Sequence, residues 1–248
     1  MTVIVTGATS GFGAAISRRF IREGHFVIGI GRRTEKLENL RLELGNSFFP
    51  LKADIDIATE LEKAMNTIPE NLKPFSILIN NAGLALGLEP AHQSQMKDWE
   101  QMIKTNINGL LHCTHLILPE MVKNNKGHII NIGSVAAEVP YPGGNVYGAT
   151  KAFVRQFSLN LRADLFGTKV RVSEVEPGLC SGTEFSLVRF KGDESKVQKT
   201  YEGSNALTPE DIAETVFWIS QLPERVNINT ISLMPVTQSF GPLLINRS

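Results

Sequence analysis

The chain has 248 residues, of which 42% are hydrophobic and 20% are charged, and its 25 basic side chains balance its 25 acidic ones. A neutral chain argues against a nucleic-acid or polyanion surface, and this length allows one large domain with a sizeable core. No run approaches the roughly 18 uncharged apolar residues of a membrane helix. The chain opens on an apolar strand pattern rather than a secretory signal, so we expect a soluble cytoplasmic protein.

Short apolar runs alternate with helical patterns along the chain. Most of the runs are apolar nearly throughout, as expected of strands that are covered on both faces. The predicted strands are Thr2–Thr6, Phe26–Ile30, Phe48–Ala53, Ser76–Asn80, His128–Gly133, Val170–Val175 and Asn229–Met234. The predicted helices are Gly11–Glu23, Thr34–Leu44, Ile57–Ile68, Lys97–Lys123, Val146–Phe166 and Pro209–Gln221.

This alternation indicates right-handed βαβ units and a parallel sheet. We predict a single α/β domain over residues 1–248, a doubly wound Rossmann-type fold with roughly seven strands and helices on both faces. Thr208 before Pro209, with Asp211 in the first turn, has the form of a helix start. The polar segment 182–205 lies between a strand and a helix, and we expect it to be a lid over the substrate.

The two cysteines, Cys113 and Cys180, do not have the spacing of metal ligands. We expect two buried or idle thiols in a reducing compartment, and no metal site.

The stretch TGATSGFG follows the first strand and opens the first helix. Its glycines allow a tight turn and close approach to a pyrophosphate, which the N–H groups and dipole of the helix start would bind. A tight turn without a ligand has the same glycines, but the flanking strand and helix favour a binding site. The predicted cofactor-binding residues of this turn are Gly7, Thr9, Ser10, Gly11, Phe12 and Gly13.

Arg32 and Arg33 follow the second strand, where an NAD site has an acidic residue for the ribose 2′-hydroxyl. Two guanidinium groups suit a 2′-phosphate instead, so we predict NADP(H) as the cofactor. A solvated arginine pair is the alternative, although cations at a helix start oppose its dipole. Asp54, just after the third strand, is expected to accept a hydrogen bond from the adenine amino group, or to be an ordinary turn aspartate.

Tyr147 and Lys151, in the stretch YGATK, are four residues apart at the start of a helix and therefore on one face. An ammonium about 4 Å from a phenol stabilises the phenolate by on the order of 4 kcal/mol at an effective dielectric of about 20. That is about three pKa units before desolvation, and would bring Tyr147 close to working pH. The small neighbours Gly148 and Ala149 leave room for a flat ring. A surface tyrosine is the alternative for Tyr147 taken alone.

Five stretches occur together in the order TGATSGFG, NNAG (Asn80–Gly83), NIGS (Asn131–Ser134), YGATK and EPG (Glu176–Gly178). In this order and spacing the chain resembles the short-chain dehydrogenase/reductase family over almost its whole length. The segments GLALGLEPAH, VRFKGD and MPVTQS resemble its NADP-dependent 3-hydroxy acid dehydrogenases, a subgroup described as acting on serine, allo-threonine and related short β-hydroxy acids.

The resemblance implies a catalytic group in which Tyr147 is the general acid/base and Ser134 bonds the substrate oxygen. Asn106 would hold a water that relays protons to Lys151, and Lys151 would also bond the ribose. Thr183 stands one residue farther from PG than is usual in the family, which leaves its role open. The further cofactor-binding residues that the resemblance implies are Asn81, Tyr147, Lys151, Pro177, Gly178, Leu179 and Thr183. Taken by its own chemistry, NNAG is equally a strand-ending turn.

The family also implies a homotetramer. Phe153, Phe157 and Leu161 lie at helical spacing after Tyr147 and form either a subunit seam or ordinary core packing.

A small anionic substrate needs a cation near the nicotinamide, because a buried unpaired charge is costly. Lys151 is committed to Tyr147, and the arginine pair lies at the far end of the cofactor. Arg189 stands between Val188 and Phe190, where its stem can pack while its fork meets a carboxylate or sulfonate. A lid or interface arginine is the alternative for Arg189. The nearby Lys191 resembles a solvated turn.

These features predict an NADP(H)-dependent oxidoreductase that interconverts a short anionic β-hydroxy compound and its aldehyde or ketone, with substrate residues Ser134, Tyr147 and Arg189. A sulfoacetaldehyde reductase, forming isethionate, is the alternative within the same chemistry, because its substrate has the same layout with a sulfonate. A non-catalytic dinucleotide-binding module is the alternative from another class. The intact catalytic residues argue against such a module.

Overall fold

The computed structural model describes residues 1–241, in which one parallel sheet has the strand order β3-β2-β1-β4-β5-β6-β7. The strands are β1 (Thr2–Thr6), β2 (Phe26–Gly31), β3 (Phe48–Lys52), β4 (Phe75–Asn80), β5 (Gly127–Ile132), β6 (Val170–Pro177) and β7 (Thr230–Leu233). The predicted doubly wound parallel sheet is confirmed, and every predicted strand is present with its ends shifted by two residues at most. The predicted domain 1–248 ends in residues 242–248, which lie outside the described residues.

The helices follow the predicted order and add two in the segment 182–205. The helices of the described residues are α1 (Gly11–Arg22), α2 (Thr34–Leu44), α3 (Ala58–Met65), α4 (Met96–Ile103), α5 (Leu110–Lys123), α6 (Asn145–Asp164), α7 (Phe185–Arg189), α8 (Glu194–Tyr201) and α9 (Pro209–Gln221). The start of α9 was correctly predicted, because Thr208 and Asp211 form a reciprocal capping box around Pro209.

A hydrophobic core covers each face of the sheet. On one face α1, α2 and α9 pack through side chains such as Phe20, Leu37 and Val216, and on the other α3 and α5 pack through Leu61 and Ile117. Each fully buried side chain of this size contributes about 1.5–3 kcal/mol. The sheet therefore lies between two packed helical layers.

The helix predicted over Lys97–Lys123 is interrupted. Between α4 and α5 the segment Lys104–Gly109 is a π-helix, whose wider turn is not visible in an apolar pattern. It places Asn106 inside the protein, where its side chain is 2% exposed. Such π-turns often mark functional positions.

The strand order reverses at β1, which pairs with β2 on one side and β4 on the other. In doubly wound sheets, ligands bind in the crevice at the carboxyl ends of the strands on either side of such a reversal. The segment 182–205, which contains α7 and α8, follows the carboxyl end of β6. The topology therefore brings the glycine turn and the predicted lid to the same edge of the sheet.

Within residues 1–241, no helix is long and apolar enough to cross a membrane. The same residues contain no group of three or more histidine, cysteine, aspartate or glutamate side chains able to hold a metal ion. Cys113 and Cys180 are free and buried, and burial raises the pKa of each thiol to about 12, so both are neutral at physiological pH.

Candidate active site

A cleft of about 1140 Å³ runs along the carboxyl ends of the strands. Its walls come from the glycine turn after β1, the start of α2, the loops after β4 to β6, and the lid segment. The chain has three tyrosines, and all of them, Tyr141, Tyr147 and Tyr201, line this cleft. All predicted site residues except Gly13 and Asn106 line it too, and both of these contact residues that do.

The glycine turn is closed by side chains from the neighbouring strand. Asn81, after β4, donates from its amide to the backbone carbonyls of Thr6 and Gly7, at 2.8 and 3.3 Å. A Cβ atom at Gly13 would stand 2.3 Å from the Gly7 carbonyl oxygen, so only glycine permits this approach. Gly7 itself has φ of +66°. Asn81 therefore shapes the turn, and its amide N–H groups are engaged there.

The two arginines after β2 have different surroundings. The Arg32 side chain is 60% exposed, and its nearest acidic group is Asp54 at 3.7 Å. All three nitrogens of Arg33 donate hydrogen bonds: Nε and Nη2 to Thr9, Nη2 also to Ser10, and Nη1 to Glu184 at 2.7 Å. The Arg32 side chain is thus open to the cleft, whereas Arg33 links the glycine turn to the lid through its hydrogen bonds.

Glu184, which no sequence pattern singled out, bonds Lys36 as well as Arg33. Burial raises its pKa, but hydrogen bonds from Lys36, Arg33 and Ser10 outweigh burial and hold the pKa at about 2. The carboxylate is therefore ionised across the physiological range.

Asp54 lies at the rim of the cleft, where its Oδ1 accepts from the Asp56 backbone N–H at 3.0 Å and its Oδ2 faces Arg32. Asp54 therefore forms the hydrogen bond of an ordinary turn aspartate, which was one of its two predicted roles. It also lines the cleft, as the other role, a contact with the adenine, requires.

The catalytic side chains predicted from YGATK and NIGS are buried together. Ser134, Tyr147 and Lys151 are each less than 10% exposed. Lys151 Nζ donates to the Ile132 carbonyl oxygen at 2.8 Å and lies 5.9 Å from the centre of the Tyr147 ring. The Ser134 hydroxyl accepts from the Ala136 backbone N–H, which orients it at the end of β5.

The expectation that Lys151 brings Tyr147 close to working pH is wrong for the polypeptide alone. Burial raises the pKa of Tyr147 to about 12, and a hydrogen bond from Ser134 and the charge of Arg189 offset only part of this. Burial also lowers the pKa of Lys151 to about 8. The spacing argument assumed a partly solvated pair, whereas both groups are out of water and the charged form of each is disfavoured.

Asn106 is held by the protein on three sides. Its Oδ1 accepts from the Leu84 backbone N–H at 2.8 Å, and its Nδ2 donates to the Leu84 carbonyl and to the Thr150 hydroxyl. Both amide hydrogens are committed, so a bound water would have to donate to Oδ1. A Cβ atom at Gly83 would lie within 3.6 Å of both this oxygen and Lys151 Nζ, which places Asn106 on the lysine side of the site.

The loop after β6 passes beside Ser134. The Pro177 carbonyl accepts from Ser134 Oγ at 3.5 Å, and the Leu179 N–H donates to Gln238 Oε1 at 2.7 Å. A Cβ atom at Gly178 would stand 2.4 Å from the same Gln238 oxygen. Gln238, from the stretch MPVTQS, thus holds this loop and was missed because a lone glutamine has no distinctive pattern.

Thr183 lies where the lid meets the glycine turn. Its hydroxyl accepts from the Phe185 N–H, and its methyl side packs on Gly11, where a Cβ atom would be 3.1 Å away. Thr183 therefore seats the lid on the glycine turn, beside the place where a pyrophosphate would lie.

Arg189 projects from α7 to the catalytic end of the cleft. Its Nη2 donates to the Tyr141 hydroxyl at 2.8 Å and its Nε to the Gly87 carbonyl at 3.1 Å. Its guanidinium carbon lies 5.6 Å from the centre of the Tyr147 ring, against which Phe185 also packs edge-on. A cation is thus present where an anionic substrate would need it, fixed by Tyr141.

Lys191 lies in an exposed turn, as predicted, and its side chain is 50% exposed. Its backbone has φ of +52°, as in a turn, and its ammonium also pairs with the Asp98 carboxylate at 2.7 Å. The pairing anchors the lid to α4, a contact that residue spacing cannot reveal.

Tyr141 and Phe185, which contact Arg189 and Tyr147, were missed. Tyrosine is scarce in this chain, with three in 248 residues, and this scarcity would have singled out Tyr141, six residues before Tyr147. Phe185 had no comparable feature, because single phenylalanines are usually core residues.

Comparison with known proteins agrees with this geometry. The family model described as short chain dehydrogenase matches residues 1–192. The chain belongs to the short-chain dehydrogenase family. Residues beyond the match contribute the rest of the lid, α9, β7 and Gln238.

Relatives within this family cover the full chain. The NADP-dependent 3-hydroxy acid dehydrogenase YdfG of Salmonella typhi is 58% identical over 248 residues, which is 100% of both chains. The serine 3-dehydrogenase of Agrobacterium fabrum is 52% identical over 99% of this chain and 98% of its own. A solved closed form of serine dehydrogenase complexed with NADP+ superposes with a TM-score of 0.99, at 57% identity and complete coverage of both chains.

Proposed function

We propose that the protein is an NADP(H)-dependent oxidoreductase that interconverts a short anionic β-hydroxy acid and its aldehyde or ketone. The observation that carries the proposal is the position of Arg189, a cation 5.6 Å from the ring of the buried Tyr147. Its support includes full-length similarity to the 3-hydroxy acid and serine dehydrogenases. A binding module without turnover would have no need of this arrangement.

The residues present fit a dinucleotide with a 2′-phosphate. The glycine turn is packed too closely for a Cβ atom at Gly13, which would be 2.3 Å from the Gly7 oxygen, and it leads into the start of α1, where backbone N–H groups favour a pyrophosphate. Arg32 is open to the cleft at the adenosine end, and Asn81, Gly178 and Leu179 border the path toward Tyr147. Bound at this site, NADP(H) would supply the hydride acceptor for the alcohol carbon in oxidation and the hydride donor for the carbonyl carbon in reduction.

The chain's own residues handle the proton and the oxygen. In oxidation Tyr147 removes the alcohol proton, and in reduction it donates a proton to the carbonyl oxygen. Ser134 bonds the same oxygen, Lys151 stabilises the phenolate, and Asn106 keeps a water in reach of Lys151. Because the Tyr147 pKa is raised to about 12, the phenol is protonated at neutral pH and ready to donate in the reductive direction.

Arg189 would pair with the acid group of the substrate. Its Tyr141 partner holds the guanidinium in one place, so the anion is bound by an oriented fork rather than by a mobile charge. The reactive carbon of a short β-hydroxy acid then falls between this fork and the phenol.

The direct test measures NADPH absorbance with serine, with other short 3-hydroxy acids and with sulfoacetaldehyde, using wild type and Arg189→Met. We expect turnover of 3-hydroxy acids by wild type, and a KM increase of at least about tenfold in the variant, since a hydrogen bond to a charged group is worth about 1.5–3 kcal/mol. Uncharged short aldehydes serve as the control and should be unaffected. Equal loss for charged and neutral substrates would reject Arg189 as the anion-binding group, and exclusive turnover of sulfoacetaldehyde would reject the carboxylate substrate.

We further propose a cytoplasmic homotetramer in which residues 182–205 of a single domain act as the lid. Two free thiols suit a reducing compartment, and the exposed Trp218 and Phe240, at 52% and 61%, suit burial between subunits. Along α6, the rings of Phe153 and Phe157 stack 5.9 Å apart, while Leu161 belongs to the core. Light scattering of the purified protein tests the assembly, and a monomer at micromolar concentration would reject it.

A further inference from the structure

The short helix α7 connects the two ends of the cleft. Glu184, immediately before it, contacts Arg33 and Lys36 at the start of α2. Arg189, its last residue, contacts Tyr141 and faces Tyr147. Glu184 and Arg189 are thus only five positions apart, at opposite ends of one short helix, although one contacts the adenosine end of the cleft and the other the catalytic end.

The Glu184 carboxylate joins the lid, by ion pairs, to the adenosine end of the cleft. It accepts from two cations at once, across 151 and 148 residues of sequence, and stays ionised because its pKa is held at about 2. Arg33 in turn bonds Thr9 and Ser10, so the chain of contacts runs from the lid through Arg33 into the glycine turn.

Arg33 consequently has little hydrogen-bonding capacity left for a phosphate. A guanidinium has five N–H donors, and those of Arg33 already make four bonds. Arg32, 60% exposed and 3.7 Å from Asp54, keeps its donors available. The pair that the sequence presents as equivalent is divided between two tasks.

We propose that Glu184 is a positioning residue for the substrate site: by pairing with Arg33 and Lys36 it fixes α7, and so sets Arg189 over Tyr147, while Arg32 binds the 2′-phosphate. The inference rests on the proposed function and extends it by linking the two ends of the cleft through the lid.

Because of the charges involved, this role predicts different effects of a Glu184 substitution on substrate binding and on cofactor binding. Glu184 and a 2′-phosphate are both anionic and both face the cations at the start of α2, so removing the Glu184 charge relieves repulsion at the adenosine end. The same change loosens α7 and displaces Arg189. Substrate binding should therefore weaken while cofactor binding holds or improves, whereas general damage to the lid would weaken both.

The experiment compares wild type with Glu184→Gln, and uses Glu202→Gln, an exposed carboxylate just after α8, as the matched control in the same segment. In Glu184→Gln we expect the KM for a 3-hydroxy acid at saturating NADP to rise about fivefold, equivalent to about 1 kcal/mol at 1.4 kcal/mol per tenfold. The change in kcat should be smaller than the change in KM. The NADPH dissociation constant, from fluorescence titration without substrate, should be equal or lower, and Glu202→Gln should match wild type throughout.

Limited trypsin digestion of the NADPH complex provides a readout that does not depend on turnover, because the lid contains Arg189, Lys191, Lys196 and Lys199. Glu184→Gln should be cut in the lid several times faster than wild type or the control. A wild-type KM and cutting rate in Glu184→Gln, or a parallel loss of substrate and NADPH binding, would overturn the proposal. If wild type itself turns over no hydroxy acid, the proposed function fails, and the digestion rates alone decide whether Glu184 holds the lid.

Discussion

Replacing Glu174 with glutamine should stabilise the protein, and more so as the pH rises. Glu174 lies on β6 between Asn131 of β5 and Thr230 of β7 and is fully buried. Neither of its carboxyl oxygens has a hydrogen-bond partner among the described residues. The carboxyl also packs on Gly133, where a Cβ atom would be 2.2 Å from Oε1.

The pKa of Glu174 is raised from 4.5 to about 8, first by burial and then by the neighbouring Glu176. Arg155 and Lys151, both on α6, lower it by a smaller amount, and Glu138, after β5, raises it slightly. The folded protein therefore carries a neutral carboxyl group at pH 7, whereas the same side chain is ionised in the unfolded chain.

The magnitude follows from this difference in proton binding. Above about pH 4.5 the Glu174 side chain holds one proton more in the folded state than in the unfolded state, so its contribution to wild-type stability falls by about 1.36 kcal/mol per pH unit until about pH 8. A glutamine side chain does not titrate, so it takes up no proton on folding. Relative to wild type, Glu174→Gln should thus gain almost nothing near pH 4.5 and about 3 kcal/mol at pH 7.

Urea unfolding at a fixed protein concentration, at several pH values between about 4.5 and 8, measures this difference. Glu70→Gln is the control, because the Glu70 side chain is 87% exposed and the substitution should have a small effect without pH dependence. A stability difference for Glu174→Gln that stays constant across this range would refute the reasoning, since it would mean that Glu174 binds no proton on folding.

Two further predictions concern the site. Tyr147→Phe keeps the ring but removes the proton carrier, so kcat should fall by at least about 10²-fold while NADPH fluorescence titration shows unchanged binding; near-native turnover would remove Tyr147 from the mechanism. Arg32→Ala should weaken NADPH at least about tenfold, given about 1.5–3 kcal/mol per hydrogen bond to a charged group, and leave NADH affinity nearly unchanged. Equal weakening of both cofactors would show that Arg32 does not bind the 2′-phosphate.

The sequence by itself determined the helices and strands and the placement of Tyr147 and Lys151 on one helix, because these depend on neighbours along the chain. The helices Thr34–Leu44 and Pro209–Gln221 and the strand Thr2–Thr6 were predicted to the residue. A helix N-cap residue, a proline at the first helical position and an apolar run act over one or two turns of the chain, so their effect does not depend on tertiary contacts. The spacing of Tyr147 and Lys151 on one helix is likewise a local fact.

Local patterns did not reveal the interruption of the helix predicted over Lys97–Lys123. The π-turn there is stabilised by bonds from Asn106 to Leu84 and Thr150, 22 and 44 residues away. An apolar periodicity within one helix contains no information about such partners.

Only the tertiary structure decided the electrostatics of the site, because these depend on burial and on charges that are distant in sequence. The spacing of Tyr147 and Lys151 predicts an acidified phenol, but removal of both groups from water raises the phenol pKa to about 12. The chain presents Arg32 and Arg33 as equals, whereas in the structure Glu184, 151 residues after Arg33, accepts a hydrogen bond from Arg33. Desolvation and long-range pairing arise only when the sheet brings the glycine turn, the loop after β6 and the lid to one edge.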